Sequence, residues 1–430
     1  MPRTPNCSLD FEGESVPAVA GEPVAVALYA ARVKVLSRSI KYHRPRTFFC
    51  LAGHCGACLM RVDGMPNVKA CKAPVTPGLA VSRQNAFPSA GFDVLAAADL
   101  FFPTGMDHHT MMTSPRALNA LLQKVVRELG GLGELPDPDN VPRELPAGER
   151  KLVDVAVIGG GPAGLAAAIA IRRARPRTNV MLVDEGALGG SLGAWPGGTA
   201  KMRKLVDEAR SLGVELRARA TVMAWYPEDE GGLLAVEDHG HLLRLSAARY
   251  IHATGGYDTN ALFPDNDRPG ILAARAVGTL LETHGVVAGK KPIVLGEGEY
   301  ADALAAALTG AGATVARVDG VGMQVVGASG HAWVRGLTVE ENGVRKKIKG
   351  DSVAVVTTPA PASDLARQHG VSVILDEKGG GFACVVDADG LTSVPGVYAC
   401  GDVTGYRGPT RAEADGARTG LAVARSLEGA

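Results

Sequence analysis

The chain has 430 residues, of which 46% are hydrophobic, and its 45 basic side chains match its 45 acidic ones. That length exceeds what one hydrophobic core can serve and predicts two or three domains, while the charge balance leaves no global field to recruit nucleic acid or an anionic lipid surface. No apolar run reaches the roughly eighteen residues of a membrane span, and the N-terminal segment lacks the apolar stretch of a secretion signal, so the expected location is the cytoplasm.

In chain order, "CSLDFEG" and "CLMRVDG" read as strands and "EPVAVALYAARV" as a short helix with Pro23 in its first turn. Together they predict a small β-grasp domain over residues 1–100. Between them, "VLSRSIKYHRPR" gathers Lys41, His43, Arg44 and Arg46 just ahead of a cysteine. Such a run is either a solvated loop or a surface for phosphate or for a partner. Cys50, Cys55, Cys58 and Cys71 follow with the spacing C-x4-C-x2-C-x12-C. Four thiolates suit a tetrahedral zinc or a 2Fe-2S cluster. Zinc sites pair their cysteines in short knuckles, whereas C-x4-C-x2-C with a distant fourth ligand is the plant-type ferredoxin spacing, so 2Fe-2S is expected and structural zinc is the alternative. Gly53, Gly56 and Ala57 let the backbone wrap closely and aim amides at sulfur. Cys7, Cys384 and Cys400 are scattered, which does not make a disulfide framework.

Residues 101–150 read as a helical linker. "RALNALLQKVVRELGG" has apolar residues at helical spacing, with Ser114 and Pro115 at its start and Gly130 and Gly131 at its end. His108 and His109 are adjacent and would point to different faces, so they are read as structural. "GELPDPDNVPRELPAGERK" then separates the domains.

"KLVDVAVIGGGPAGLAAAIAIRRARP" gives a buried strand, a glycine turn and a helix, with Gly159, Gly161 and Gly164 at the G-x-G-x-x-G positions and Pro162 and Ala163 opening the helix. The turn amides and helix N-terminus can hold a pyrophosphate. Asp184 and Glu185 end the next strand, where a carboxylate would accept ribose hydroxyls, and Asp184 is favoured as the first acid after the apolar pair. Later, Ala253, Thr254 and Gly255 end one strand and Gly401 and Asp402 end another. Between them lies a second strand-turn-helix with Gly296, Gly298 and Ala301. Its turn carries Glu297 and Glu299, which would oppose a pyrophosphate, and Asp319 leaves no room for a following helix, so this second fold is read as degenerate. The expected division is a first flavin half over 151–285, the degenerate NAD(P)-like domain over 286–365 and a second flavin half over 366–430. No C-x-x-C occurs outside the cluster stretch, so disulfide reductase chemistry lacks its dithiol.

The ordered set of G-x-G-x-x-G, "ATG" and "GD" resembles the two-dinucleotide flavoproteins typified by glutathione and thioredoxin reductases. That resemblance makes Asp402 the residue meeting the flavin's ribityl and phosphate region, and so FAD the expected nucleotide. The fold class expected is α/β, a β-grasp 2Fe-2S domain followed by such a flavoprotein. Over the whole chain, the ferredoxin-like domain with "SRSIKYHRPR", then "GFDVLAAADLFFPTGMDHH", "GGLGELP", the flavin motifs and "GDVTG" resemble the family of heteromeric sarcosine oxidase α subunits. The related α subunits of amine, imino-acid and opine dehydrogenases and of hydrogen cyanide synthase share this order. Two departures stand out: the large folate-binding domain of the sarcosine oxidase α subunit is absent, and all four cluster cysteines are kept. The resemblance implies amine oxidation on a flavin-bearing, amine-oxidase-like β subunit. Electrons would then pass through FAD, and through FMN whose phosphate meets Lys41, Arg44 and Arg46 at the interface with that subunit, to the 2Fe-2S cluster and an external carrier. A further small iron-sulfur subunit is another implied partner, and NAD or ATP can replace FAD in such proteins. Two other readings stay open: a self-sufficient NAD(P)H-dependent ferredoxin-type reductase, and a structural subunit holding a nucleotide that never turns over. No catalytic residue stands out.

Overall fold

The computed structural model describes residues 3–39, 42–86, 89–97, 148–227, 232–238, 240–319 and 323–428. Lys41, His108, His109 and the helix expected after Ser114 lie outside them. The described residues form two units: residues up to 97 together with Asn260–Val356, and residues 148–259 together with 357–428.

In the first unit, five strands order as Glu14–Ala18, Cys7–Phe11, Ala80–Ser82, Leu59–Val62 and Met65–Lys69. Cys7–Phe11 and Ala80–Ser82 run parallel, and the helix Val24–Ala30 buries Val24 through Leu28. This is the β-grasp arrangement, and Asp63 and Gly64, both at positive φ, turn the hairpin that leads toward Cys71. The basic run is itself a short hairpin, Ser37–Arg38 against Pro45–Arg46.

The other part of this unit is a parallel sheet ordered Ile271–Ala273, Ser352–Val355, Pro292–Leu295 and Ala316–Val318, followed in space by the meander Met323–Gly330, Val334–Glu341 and Val344–Lys349. Pro292–Leu295 and Ser352–Val355 are buried at every position, as expected of parallel strands covered on both faces. Among the described residues, no helix stands between the strand Ala316–Val318 and the meander. Here the structure departs from the sequence division. The division puts Ile271–Ala273 and the helix Ala274–Glu282 in the flavin half ending at 285, yet the strand pairs with Ser352–Val355 and starts the second fold. The unit is held internally by Ala273 N–H donating to the Phe49 carbonyl at 3.0 Å, by Tyr29 Oη donating to the Ala288 carbonyl at 2.6 Å, and by Tyr29 packing between Phe48 and Trp333.

In the second unit a mixed sheet orders Glu215–Ala218, Val180–Asp184, Glu149–Ile158, His241–His252, Leu233–Asp238 and Ala220–Tyr226. His241–His252 serves two neighbours on one side: its first half pairs antiparallel with Leu233–Asp238, and its last three residues pair parallel with Val397–Ala399. The helices Pro162–Ala174 and Pro409–Ser426 cross on one face of this sheet. Their approach depends on Gly416 and Gly420, where a Cβ would overlap the carbonyl oxygens of Ala163 and Ala167. No helix among the described residues is long and apolar enough to cross a membrane.

Candidate functional site

The first site is the glycine turn of the second unit. The strand Glu149–Ile158 is buried over its last four residues, so the chain must leave the sheet abruptly at Gly159, which does so at φ +107°. A Cβ on Gly159 would overlap the Ala253 carbonyl, and one on Gly164 would overlap the Gly159 carbonyl. At Gly161 a Cβ would meet nothing within 4 Å. Two glycines therefore close the turn against its neighbours, and the third leaves an open approach to the N-terminus of the helix Pro162–Ala174. That end carries partial positive charge and unpaired amides suited to a pyrophosphate.

The other motif residues gather around this turn. Ala253 N–H donates to the Ile158 carbonyl at 2.7 Å, and Thr254 Oγ1 donates to the Ala362 carbonyl at 2.7 Å. Gly255 (φ +73°) starts the path toward Thr259. Gly401, at φ +75°, brings the turn Gly401–Thr404 against the first helical turn, where its added Cβ would crowd that of Ala163. Asp402 is buried at 7% exposure beside that helix N-terminus. Residues 159–164, 253–255 and 401–402 thus share one cradle. Asp184 stands on its flank: one carboxylate oxygen accepts from Gly160 N–H at 2.6 Å and the other from Gly186 N–H at 2.6 Å. Glu185 is exposed beside it.

Behind the cradle lies a feature that the motifs did not reveal. His252 Nε2 and His369 Nδ1 are 3.1 Å apart, and His369 stacks on Trp225 with ring centroids 3.7 Å apart. Burial, and secondarily the neighbouring imidazole, pushes His252 down to about 3, and burial pushes His369 down to about 4.

The second site is the cysteine loop. Leu51, Gly53 and Gly56 take positive φ and wrap the chain so that the amides of Ala52, His54 and Cys55 point at Cys50 Sγ, at 3.4, 3.3 and 3.4 Å. Cys50 acts most strongly on Cys55, and Cys58 on Cys71, so the four thiols fall into two pairs. The Cys50 contact pulls Cys55 down to about 5, and the Cys71 contact lowers Cys58. Their partners Cys50 and Cys71 are raised by the same hydrogen bonds and then by burial. Among the described residues no three His, Cys, Asp or Glu side chains converge as a single-ion site. A two-iron centre asks for two thiolates on each iron, which two pairs supply, whereas one tetrahedral zinc needs all four at a point. The donor set fits 2Fe-2S. Cys50, Cys58 and Cys71 are buried and Cys55 is exposed.

The basic run divides into two roles. His43 is buried, with Nδ1 at 3.0 Å from Asp93 Oδ2, and fixes the loop from inside. Arg46 lies 3.1 Å and Arg44 4.0 Å from Asp267, so two partly exposed guanidiniums share that carboxylate.

At the second glycine turn, Glu299 and Asp302 occupy the first turn of the helix Glu299–Gly310, and Arg317 bridges Asp302 Oδ1 (2.6 Å) and the Gly296 carbonyl (3.2 Å). The positive end of that helix is already met by its own carboxylates.

Residues 5–86 match the 2Fe-2S iron-sulfur cluster binding domain, and residues 153–345 and 320–419 match the pyridine nucleotide-disulphide oxidoreductase model, more than half of the chain. The chain belongs to the pyridine nucleotide-disulphide oxidoreductase family. It is an oxidoreductase carrying a 2Fe-2S domain and an FAD-type domain. Within this family it is similar to the alpha subunit of sarcosine oxidase from Rhizobium meliloti (strain 1021), 30% identical over 95% of this chain and 45% of that protein. An opine oxidase polypeptide of the same organism is 26% identical over 64% of this chain and 72% of the relative. L-proline dehydrogenase from P. horikoshii shares the fold with a TM-score of 0.74 at 21% identity, covering 98% of this chain and 73% of that one. The chain spans less than half the length of the sarcosine oxidase α subunits it matches.

Proposed function

We propose that this chain is the electron-relaying α subunit of a heteromeric flavin-dependent amine or amino-acid dehydrogenase or oxidase, acting on a sarcosine-, proline- or opine-like donor. The observation that carries this reading is the union in one chain of a paired four-cysteine loop with a flavin-type cradle, beside a second nucleotide turn whose helix end is already met by Glu299 and Asp302. A flavin supplies two-electron chemistry when bound and a 2Fe-2S centre supplies one-electron chemistry. The chain's own residues do the holding. Gly159, Gly161, Pro162, Ala163 and Gly164 would seat the pyrophosphate, Asp184, with Glu185 beside it, the adenosine ribose, and Asp402 the ribityl end. Ala253, Thr254 and Gly255 would shape the floor, and Cys50, Cys55, Cys58 and Cys71 would hold the cluster.

The partner that fits is a flavin-bearing, amine-oxidase-like β subunit, with an external carrier and a small iron-sulfur subunit downstream. Purification from the native host, with mass spectrometry of every co-eluting polypeptide, tests this: a flavin amine-oxidase-like chain is expected. Recovery alone, with flavin bleached rapidly by NADH, would replace the relay by a self-sufficient reductase. Acid extraction of the purified chain should release FAD; NAD or ATP in its place would make the cradle a structural nucleotide site.

The hairpin bearing Arg44 and Arg46, with Lys41, would meet the phosphate of FMN at the α/β interface, guanidiniums being suited to bidentate contact with phosphate. Arg44→Ala and Arg46→Ala should each lower total flavin in the complex by up to roughly one third, one of three flavins being released. Unchanged flavin content in both variants removes FMN from this place.

A further inference from the structure

The cysteine loop is anchored from two directions. Cys58 and Cys71 belong to the β-grasp sheet: Cys58 precedes the strand Leu59–Val62, and its carbonyl accepts at 3.0 Å from the N–H of Ala70, the neighbour of Cys71. Cys50 follows instead a segment that the second nucleotide fold holds. The carbonyl of Phe49, next to Cys50, accepts from Ala273 N–H at 3.0 Å, and Ala273 opens the helix Ala274–Glu282. No acid stands in the first turn of that helix, so its partial positive charge is not cancelled there as it is at Glu299 and Asp302. The hairpin that leads into the loop is tied to the same fold through Arg46 and Asp267, 3.1 Å apart.

An aromatic stack completes the hold. Phe48 is fully buried and meets the Tyr29 ring at 5.3 Å, and Tyr29 lies 6.1 Å from the ring of the half-buried Trp333. Polar atoms pin both outer rings to the second fold. Tyr29 Oη donates to the Ala288 carbonyl and Trp333 Nε1 to the Asp351 carbonyl, each at 2.6 Å. The Asp351 carboxylate accepts from the amides of Lys290 and Lys291 at 2.8 and 2.9 Å. Lys291 and Asp351 lead directly into the buried parallel strands Pro292–Leu295 and Ser352–Val355, so the stack stands on the core of that fold.

This placement has an electrostatic consequence. A 2Fe-2S centre on four thiolates carries a charge of about −2 when oxidised and about −3 when reduced. Exclusion of water costs the more highly charged form more. We propose that the second nucleotide fold is the seat of the iron-sulfur centre, with Trp333 and Tyr29 as positioning residues that close the Cys50 side against water and hold its reduction potential down. Reduction adds one electron and moves no proton, so the seat acts on charge alone. The fold thereby has a role that needs no nucleotide, and that role is independent of which donor or acceptor serves the chain.

Potentiometric titration of the full-length holo protein with dithionite, followed by EPR of the reduced centre, tests this. Trp333→Ala should open the stack to water and raise the midpoint potential by roughly 30 mV, about a threefold shift in the one-electron equilibrium, with iron content unchanged. Trp333→Phe should restore most of the wild-type value, because it keeps a ring against Tyr29. Leu304→Ala, a buried change in the helix Glu299–Gly310 of the same fold, should lower the melting temperature without moving the potential. A wild-type potential in Trp333→Ala at full iron content, or an equal shift in Leu304→Ala, would overturn the seat. If Trp333→Ala fails to hold iron, Tyr29→Phe decides in its place. It keeps the ring and removes only the bond to Ala288, and should shift the potential upward by a smaller amount; an unchanged potential there counts equally against the proposal.

Discussion

The two glycine turns share a backbone and differ in what the backbone presents. Gly159 N–H donates to Val183 and Gly296 N–H to Val318, both at 2.8 Å; Ala253 N–H donates to Ile158 and Val356 N–H to Leu295, both at 2.7 Å. In each turn a Cβ on the first glycine would overlap the carbonyl of the residue across the sheet, Ala253 or Val356. The differences lie at three places. Gly161 and Pro162 put no charge at the first helix end, whereas Glu299 and Asp302 fill the first turn of the second. Gly164 has no space for a methyl group, while Ala301 already buries one. His252 ends the strand behind the first turn where Val355 ends the strand behind the second. A nucleotide fold is therefore set by short backbone bonds, and what it can hold is set by a few substituents around an unchanged loop.

That contrast can be broken at each difference. Gly164→Ala places a methyl group onto the Gly159 carbonyl and should cost about 3 kcal/mol of stability and empty the cradle. Ala301→Gly should cost only about 1 kcal/mol, the helix-propensity difference. Thermal unfolding and bound-flavin absorbance decide this, and equal effects at the two positions would mean that the turns are equivalent after all. Beneath them, the depressed imidazoles bind fewer protons in the folded than in the unfolded chain below their ordinary 6.5. Their contribution is complete above about pH 6.5 and declines as pH falls toward their folded values. The melting temperature should drop between pH 7 and 5 by an amount worth about 2 kcal/mol for each imidazole, and His252→Leu should lessen that slope. A slope unaffected by the substitution would assign acid sensitivity elsewhere. The smallest effect is expected at the second turn. Glu297→Gln/Glu299→Gln should tighten NADH binding about tenfold, or 1.4 kcal/mol, from a wild-type affinity too weak for rapid flavin bleaching. Rapid bleaching of the wild type by NADH would show that the carboxylates do not close the site.

What the sequence disclosed follows from range. The cysteine spacing and the G-x-G-x-x-G turn are dictated by contacts within a few residues, so the tight backbone around Cys50, Cys55, Cys58, Gly159 and Gly164 was legible. The crossing between units could not. Ile271–Ala273 is three residues long, too short to show a period, and its allegiance is fixed by pairing with Val353, some eighty positions away. His43 looked like one more cation in a basic run; its burial depends on Asp93, fifty residues on. The His252–His369 pair spans 117 positions and carries no local signature. Asp184 was legible as an acid at a strand end, but its two amide bonds, which tie Gly160 to Gly186, were not.

The cradle is written in two distant parts of the gene. Its floor comes from residues 159–164 and its far wall from residues 401–402, and the closing helix Pro409–Ser426 lies on Pro162–Ala174 through Gly416 and Gly420. Residues 401–404 and 409–426 must therefore be made before the first glycine turn gains its lid. The five-stranded cluster lobe is complete in sequence before residue 100. The sheet of the cluster lobe is thus local in sequence, whereas the cradle needs both of its distant parts before it can hold a nucleotide.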